Sequence, residues 1–580
     1  MQPISIDSPS DKGTKDRRSR CHQLLMQIVY DFAENTTLNG LKYMAEKRTS
    51  ILERLFWTST FILSTILCVM MVYKSYVKYD TSGVVVTLKE HLVSVNEYPF
   101  PAVTICPQAR IRQKRYNYTC AGLYSFTNDS GVDLKKFHST MVLCDNDDEI
   151  NSSDAYPFLD YPVDIKTFFE VAPRHEDIFM ECSWRNKVDC LKKFRPTLTA
   201  DGICYTFNIL ATDEIFRRNS VYQKRYYLNS STLKNGWSLE KNYYSYPNDA
   251  FPRRGRANGA REDLYLSLKE VTDRDFACDR QTRPGYKVYL HHPADLPQVS
   301  LHSYAAQPGK TTSFAIKLDI LDTADELLSN YAPEIRQCYS PTERYLQFFQ
   351  SYSSINCQLE CLTNYTIKIC GCVSFYMPRN SSTPICPANK WNCTEEALDL
   401  YAAQEDLNDG DISKCRCLPS CKDVNYDADT VVTKLDLEEY DKRRKEFQRL
   451  VEEFEDFYAE DDDEDYETEN KGVDNEANNT TDTESDGDED SSNNETQTVN
   501  QFTEIRIYYR YPRFVAMERS ELVGLSQFLA DVGGTLGLFL GFSFLTLAEI
   551  FYFFTLKFYC RYHQETPENE SEKLNVAHDA

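Results

Sequence analysis

What this 580-residue chain lacks narrows it first. It has no Gly-x-Ser-x-Gly, His-Glu-x-x-His or P-loop pattern, so nothing in it organises a nucleophile, a catalytic metal or a nucleotide phosphate. No enzyme activity and no cofactor are expected. It has no Cys-x-x-Cys pair and only nine histidines, which argues against a zinc site despite 20 cysteines. A basic patch is missing: the net charge is -25, and no nucleic-acid partner is expected. Residues 1–20 are polar and basic with no apolar core, so no cleavable signal is expected, and targeting falls to a membrane span.

The acidity is local. Glu452 to Glu495 holds 21 acidic residues against one lysine, and 460–500 is low-complexity Asp, Glu, Asn, Ser and Thr that cannot bury a core. We read about 458–500 as a disordered, solvated insert. The cysteines are segregated too, with 17 of them between Cys106 and Cys421. That region reads as disulfide-stapled in an oxidising compartment, and the odd number leaves at least one thiol free or paired with another chain. Glycosylation sequons at Asn117, Asn128, Asn151, Asn229, Asn364, Asn380 and Asn392 coincide with it, and Asn478, Asn479 and Asn494 follow.

Two long apolar runs flank this region. Leu55 to Val72 carries no charge and is followed by Tyr73, Lys74 and Tyr76; the nine Lys and Arg of residues 1–54 place the N-terminus in the cytoplasm. The second run, Val532 to Leu556, is interrupted only by Glu549 and at about 1.5 Å per residue is long enough to span as one helix. It is a poor anchor: Gly533, Gly537 and Gly541 recur every four residues, the spacing that lets helices pack closely. Asp531, Gly534, Leu538, Gly541 and Leu545 form a second stripe with an acid at its outer end, which reads as the lining of a cation path. Both termini would be cytoplasmic in a two-span plasma-membrane protein.

Between the spans, 164–171 and 175–184 read as helices, 204–208 and 285–290 as strands, and 342–363 as a helix broken near Ser351. Cys357 and Cys361 fall on one helical face, and Cys370-Gly-Cys372 needs an extended turn. Residues 423–435 and 502–511 read as strands, with 436–457 helical.

Five landmarks in order carry a family resemblance: Phe100-Pro-Ala-Val-Thr-Ile-Cys106; Cys204-Tyr-Thr-Phe-Asn208; Tyr339 followed by Cys357, Cys361, Cys370 and Cys372; Cys415-Arg-Cys417-Leu-Pro-Ser-Cys421; and Phe528 to Ser543. Together they make the chain similar to the degenerin/epithelial sodium channel family over roughly residues 30–560. The resemblance implies a membrane protein with two transmembrane helices and a large disulfide-rich mixed α/β ectodomain of palm, β-ball, knuckle, finger and thumb. It also implies a trimer, homo- or heteromeric, around a sodium pore blocked by amiloride. The implied layout is a cytoplasmic 1–54, a first transmembrane helix at 55–76, an extracellular 77–527 with a finger at about 110–260 and a thumb at about 330–421, a second transmembrane helix at 528–557, and a cytoplasmic 558–580. Cys106, Cys204, Cys338, Cys357, Cys361, Cys370, Cys372, Cys415, Cys417 and Cys421 are expected in disulfides.

The same resemblance assigns Gly541-Phe542-Ser543 to the selectivity filter, Ala530 and Asp531 to the pore mouth, Gly534 and Leu538 to the lining and Glu549 to the inner side. Backbone carbonyls and small hydroxyls at a Gly-x-Ser narrowing can replace part of a cation's water shell. The family's N-terminal His-Gly is here Asn39-Gly40.

For gating, the histidine pair common before the Phe-Pro-Ala-Val segment in acid-sensing members is absent, with His91 alone, and the tail after Lys557 has no Pro-Pro-x-Tyr. The remaining resemblance is to invertebrate channels opened by FMRFamide-like neuropeptides, with acid-sensing, constitutive or mechanosensitive opening as the alternative. A cationic aromatic peptide needs aromatic faces and an acid. Phe168, Phe169, Asp177, Phe179, Glu181 and Trp184 are the candidate ligand residues.

Overall fold

The structure, a computed structural model, describes residues 10–46, 49–81, 83–125, 133–144, 161–185, 187–188, 190–218, 220, 237–239, 242–243, 250–255, 263–275, 278, 284–298, 302–406, 415–436, 439, 442–443, 445–447, 449–451 and 502–564. The sequons at Asn128, Asn151, Asn229, Asn478, Asn479 and Asn494 and the acidic insert lie outside the described residues. The chain forms two compact units, Met1–Val85 with Ser520–Ala580, and Val86–Arg519.

The first unit is helical. Helix α1 runs Ser10–Asn35, α2 Leu41–Ala45 and α3 Ile51–Thr81. A reciprocal Ser50/Glu53 pair starts α3: Glu53 accepts from the Ser50 N–H at 3.0 Å, and the Glu53 N–H points to Ser50 Oγ at 3.4 Å. Among the described residues α3 is the one helix long and apolar enough to cross a membrane alone. The second apolar run is α4 (Leu525–Leu540) and α5 (Phe544–Phe551), continued by a π-helical turn at Tyr552–Lys557 and α6 (Phe558–Gln564).

Leu525–Leu540 and Phe544–Arg561 are bent by 73° at a break, so the continuous helix expected over 532–556 is corrected. Apolarity sets length, not continuity, and Gly541 and Ser543 both carry helix-ending chemistry. The apolar outer faces of α3 and α4 are exposed in the single chain, as Leu63, Val69 and Leu538 show.

The second unit is built on two sheets sharing one core. In the eight-stranded sheet, Lys310–Thr323 is central: it pairs antiparallel with Asp423–Lys434 and parallel with Phe502–Tyr509. The sheet continues through Leu264–Lys269 to Phe179–Trp184. The five-stranded sheet runs Tyr304–Ala306, Tyr286–His291, Ala102–Pro107, Gly202–Phe207, Arg195–Thr199. Alternation puts Val103, Ile105, Tyr205, Phe207 and Val288 of this sheet against Leu264, Leu266, Phe314, Ile316, Ile505 and Ile507 of the other, all in one buried cluster.

Two predicted helices are corrected. Of 175–184 only His175–Ile178 is helical; Phe179–Trp184 is a strand because it pairs with Leu264–Lys269, and pairing overrides the helix-forming Met180 and Glu181. Of 342–363 only the part from Ser354 is helical, where Ser353 accepts from the Asn356 N–H.

That helix, Ser354–Cys370, is where the disulfides concentrate. Cys357 and Cys361, one turn apart, bond to Cys417 and Cys415. Gly371 ends it at φ 72, turning Cys370 toward Cys393 and Cys372 toward Cys386. Cys338–Cys421, Cys106–Cys204, Cys144–Cys278 and Cys182–Cys190 complete eight bonds. Cys120 is a free thiol on the surface of this unit.

Candidate functional site

The break between α4 and α5 is assembled from local chemistry. Gly541 is left-handed (φ 67, ψ 20), its N–H bonds Gly537 O at 3.0 Å, and the Phe542 N–H bonds Leu536 O at 3.2 Å, a Schellman ending that suits glycine. Two residues on, the Thr546 N–H donates to Ser543 Oγ (3.3 Å) while the Ser543 N–H donates to Thr546 Oγ1 (3.2 Å). This reciprocal cap starts α5. Gly541-Phe542-Ser543 is therefore the non-helical link inside the apolar run, where carbonyls leave the helical ladder. Ser64 of α3 donates its hydroxyl to Phe539 O at 2.6 Å, tying the end of α4 to α3.

The N-terminal segment Thr36–Gly40 folds onto this break. The Asn39 N–H donates to Leu540 O at 3.1 Å, and a Cβ on Gly541 would come within 2.7 Å of Asn39 Nδ2. Thr37 Oγ1 and Thr546 Oγ1 are 2.9 Å apart. Glu549 Oε2 accepts from the Thr37 N–H (3.1 Å) and from the Thr36 and Thr37 hydroxyls (3.3 Å each). Gly40 (φ 92) then turns the chain into α2. The structure thus brings together Asn39, Gly40, Gly541, Ser543 and Glu549. Thr36, Thr37, Ser64 and Thr546 were missed by sequence reasoning, since threonines and serines near a span carry no distinctive signal.

The other predicted pore residues lie on α4. Ala530, Gly534 and Leu538 are exposed on the single chain; Leu538 is 79% exposed. Asp531 Oδ1 accepts from Gln527 Nε2 at 2.8 Å. A Cβ at Gly533 or Gly534 would meet nothing within 4 Å, so within this chain those glycines do not mediate helix packing.

The predicted ligand residues do not converge on a cavity. Phe168, Phe179 and Trp184 are buried core, with Phe168 edge-on to Phe375 and Trp184 edge-on to Phe100. Phe169 packs partly buried beside the Phe168 cluster. Asp177 is engaged by Arg112 and Arg115 at 2.5 Å each, and Glu181 is exposed on its strand. Aromatic content signalled packing here, and the acid already has its cations.

A cavity of about 250 Å³ exists elsewhere in the same unit, lined by Leu210, Glu214, Ile215, Trp237, Phe251, Gln350 and Asn356 among others. The Trp237 ring N–H is buried with no acceptor among the described residues. Next in sequence to Ala294 of the cavity wall, Asp295 is 7% exposed, and its Oδ1 has no partner among the described residues. Burial pushes this carboxyl up to about 7, with Asp423 adding and a Ser353 hydrogen bond opposing. Burial drives His291 and His292 the other way, down to about 3 and about 4, so both are neutral near pH 7. His291 sits 2.9 Å from Thr104 Oγ1 as an ordinary strand residue.

Comparison with known proteins agrees in extent with this architecture. The family model for the amiloride-sensitive sodium channel matches residues 32–553. Pickpocket protein 28 of Drosophila melanogaster is 27% identical over 559 residues, covering 96% of this chain and 82% of that protein. Acid-sensing ion channel 2 of Danio rerio is 23% identical over 545 residues, covering 90% and 83%. Sodium channel protein Nach of Drosophila melanogaster is 22% identical over 412 residues, covering 68% and 71%.

Proposed function

The chain belongs to the amiloride-sensitive sodium channel family, and from that membership we propose that it forms a sodium-selective pore opened by an extracellular ligand. Members are plasma-membrane channels, not enzymes, and membership implies sodium permeation and amiloride block. The observation that carries the pore assignment is the break at Gly541–Ser543 with Thr36–Gly40 folded against it. In the proposed assembly three chains surround one axis, each with two spans and both termini cytoplasmic, and both spans meet membrane lipid. Ala530 and Asp531 face the outer mouth, Gly534 and Leu538 the lumen, and Gly541-Phe542-Ser543 selects the ion. The proposed ligand is an FMRFamide-like neuropeptide. Its seat is moved from the Phe168–Trp184 segment to the cavity beside Trp237, which offers apolar walls, a buried N–H donor and the Glu214 carboxylate.

A second reading, opening by acid, is favoured by one observation: buried Asp295 is hydrogen-bonded to Ser353, the N-cap of the disulfide-rich helix, and burial pushes its carboxyl up to about 7. Expression of the chain alone in oocytes separates them. The expected result is an amiloride-blocked sodium current evoked by an FMRFamide-type peptide and not by a step to pH 5. A current to acid alone transfers the assignment to the second reading. No current to either stimulus, even with a bulky side chain at Ala530, overturns the channel function. Ser543→Val should blur Na⁺/K⁺ selection; unchanged selection removes the filter assignment.

A further inference from the structure

The N-terminal helix α1 reaches the inner end of the α5–α6 helix by a contact that the pore assignment does not use. Leu24, Ile28 and Phe32, spaced four apart on one face of α1, are all buried, and Ile28 and Phe32 share a cluster with Phe553, flanked by Ile550 and Phe558. Phe32 meets the Phe553 and Phe554 rings at 5.6 Å each. Beside this seam Asp31 Oδ2 lies 2.8 Å from Arg561 Nη2 and 3.1 Å from Lys557 Nζ. Lys557 also sits over the Phe553 ring at 4.3 Å. Lys557 and Arg561 are four residues apart, so one carboxylate can hold both. Tyr30 adds a bond from its hydroxyl to Ala45 O at 2.6 Å, joining α1 to the far side of the Asn39–Gly40 turn.

We infer that Asp31 is a positioning residue for permeation: its double ion pair to Lys557 and Arg561 locks α1 onto the inner helix and so holds Thr36–Gly40 against the Gly541 break. The transmission is short. Asp31 is one helical turn from Asn35, and the next two residues donate to Glu549. Both ends of the Thr36–Gly40 loop are therefore fixed, the near end by α1 and the far end by the Asn39 bond to Leu540 O. Without the ion pair, α1 keeps its apolar seam but loses the contact that sets its rotation about that seam. This role rests on the pore reading above, and the test separates the two.

Two measurements on the full chain decide it. Hydrogen exchange over residues 24–38, in lipid nanodiscs, should be about tenfold faster in Asp31→Arg than in the wild type. It should return to the wild-type rate in Asp31→Glu and in the swap Asp31→Arg/Arg561→Asp. In oocytes, at matched surface levels, the Na⁺/K⁺ permeability ratio of Asp31→Arg should fall about threefold and recover in the same two variants. Wild-type exchange in Asp31→Arg overturns the lock. Faster exchange with an unchanged permeability ratio overturns the positioning role. Absence of wild-type current refutes the pore reading and with it the positioning role, while exchange still decides the lock.

Discussion

The two units are held internally by different means. In the ectodomain unit, eight disulfides and a two-sheet apolar core fix the chain, and the densest bonding surrounds Ser354–Cys370. In the helical unit, the break between α4 and α5 is held by single hydrogen bonds: Asn39 to Leu540, Thr37 to Glu549, Ser64 to Phe539. Each disulfide contributes about 2–4 kcal/mol, and each hydrogen bond nets about 1 kcal/mol. The disulfide-rich unit is thus held as stiff pieces, and the break between α4 and α5 can be rearranged by small forces.

Four predictions probe that contrast. The largest effect should come from Cys338→Ser, which opens a bond closing 83 residues of separation. It should cost about 2–5 kcal/mol and reduce surface delivery, while channels that arrive keep their Na⁺/K⁺ selectivity. Surface biotinylation with reversal potentials checks both halves; altered selectivity would blur the division between the units.

Asp295 gives the next effect. The folded state holds its proton up to about pH 7, whereas an unfolded aspartate releases it near 4. Its contribution to stability is therefore full below about pH 4 and fades as pH rises to 7, by up to about 4 kcal/mol. Melting temperature of the full chain should fall between pH 5 and pH 8, and Asp295→Asn should flatten that fall.

Gly541→Ala should act on the helical unit alone. The left-handed backbone costs about 1–2 kcal/mol for a residue with a Cβ, and Asn39 must also move. Selectivity should drop at normal surface levels, and Asn39→Gly in the same chain should restore part of it. The smallest effect is a coupling of about 1 kcal/mol between Thr37→Val and Glu549→Gln, read as non-additive shifts of open probability in a double-mutant cycle. Strict additivity would remove Glu549 as the anchor of the N-terminal loop.

Legibility in the sequence followed locality. Gly541 and Ser543 were named through the family resemblance, and the glycine turn and serine cap they form are decided by neighbours a few residues away. That they break the helix was hidden, since the apolar run continues across them. The strands 286–291 and 423–434 were readable from β-branched and aromatic content, whereas 179–184 depended on a partner strand 80–89 residues downstream. The candidate site was half legible: Asn39 and Glu549 were named separately, but nothing in a one-dimensional reading joins residues 510 positions apart. The six candidate ligand residues line no common cavity for a related reason. A Phe-rich segment next to an acid describes a folded core with a satisfied aspartate as well as it describes a pocket.

The π-helical turn at Tyr552–Lys557 has a consequence for chain length. Such a turn is an α-helix carrying one residue more than its hydrogen-bond pattern requires. Deleting one residue there lets the segment relax to an ordinary α-helix with Phe558–Gln564 at nearly its present azimuth. Deleting one from α5 instead swings everything beyond it by about 100° and turns Arg561 away from Asp31. The inner helix thus has one short stretch that tolerates a shortened reading frame, placed between the Glu549 anchor and the Arg561 lock.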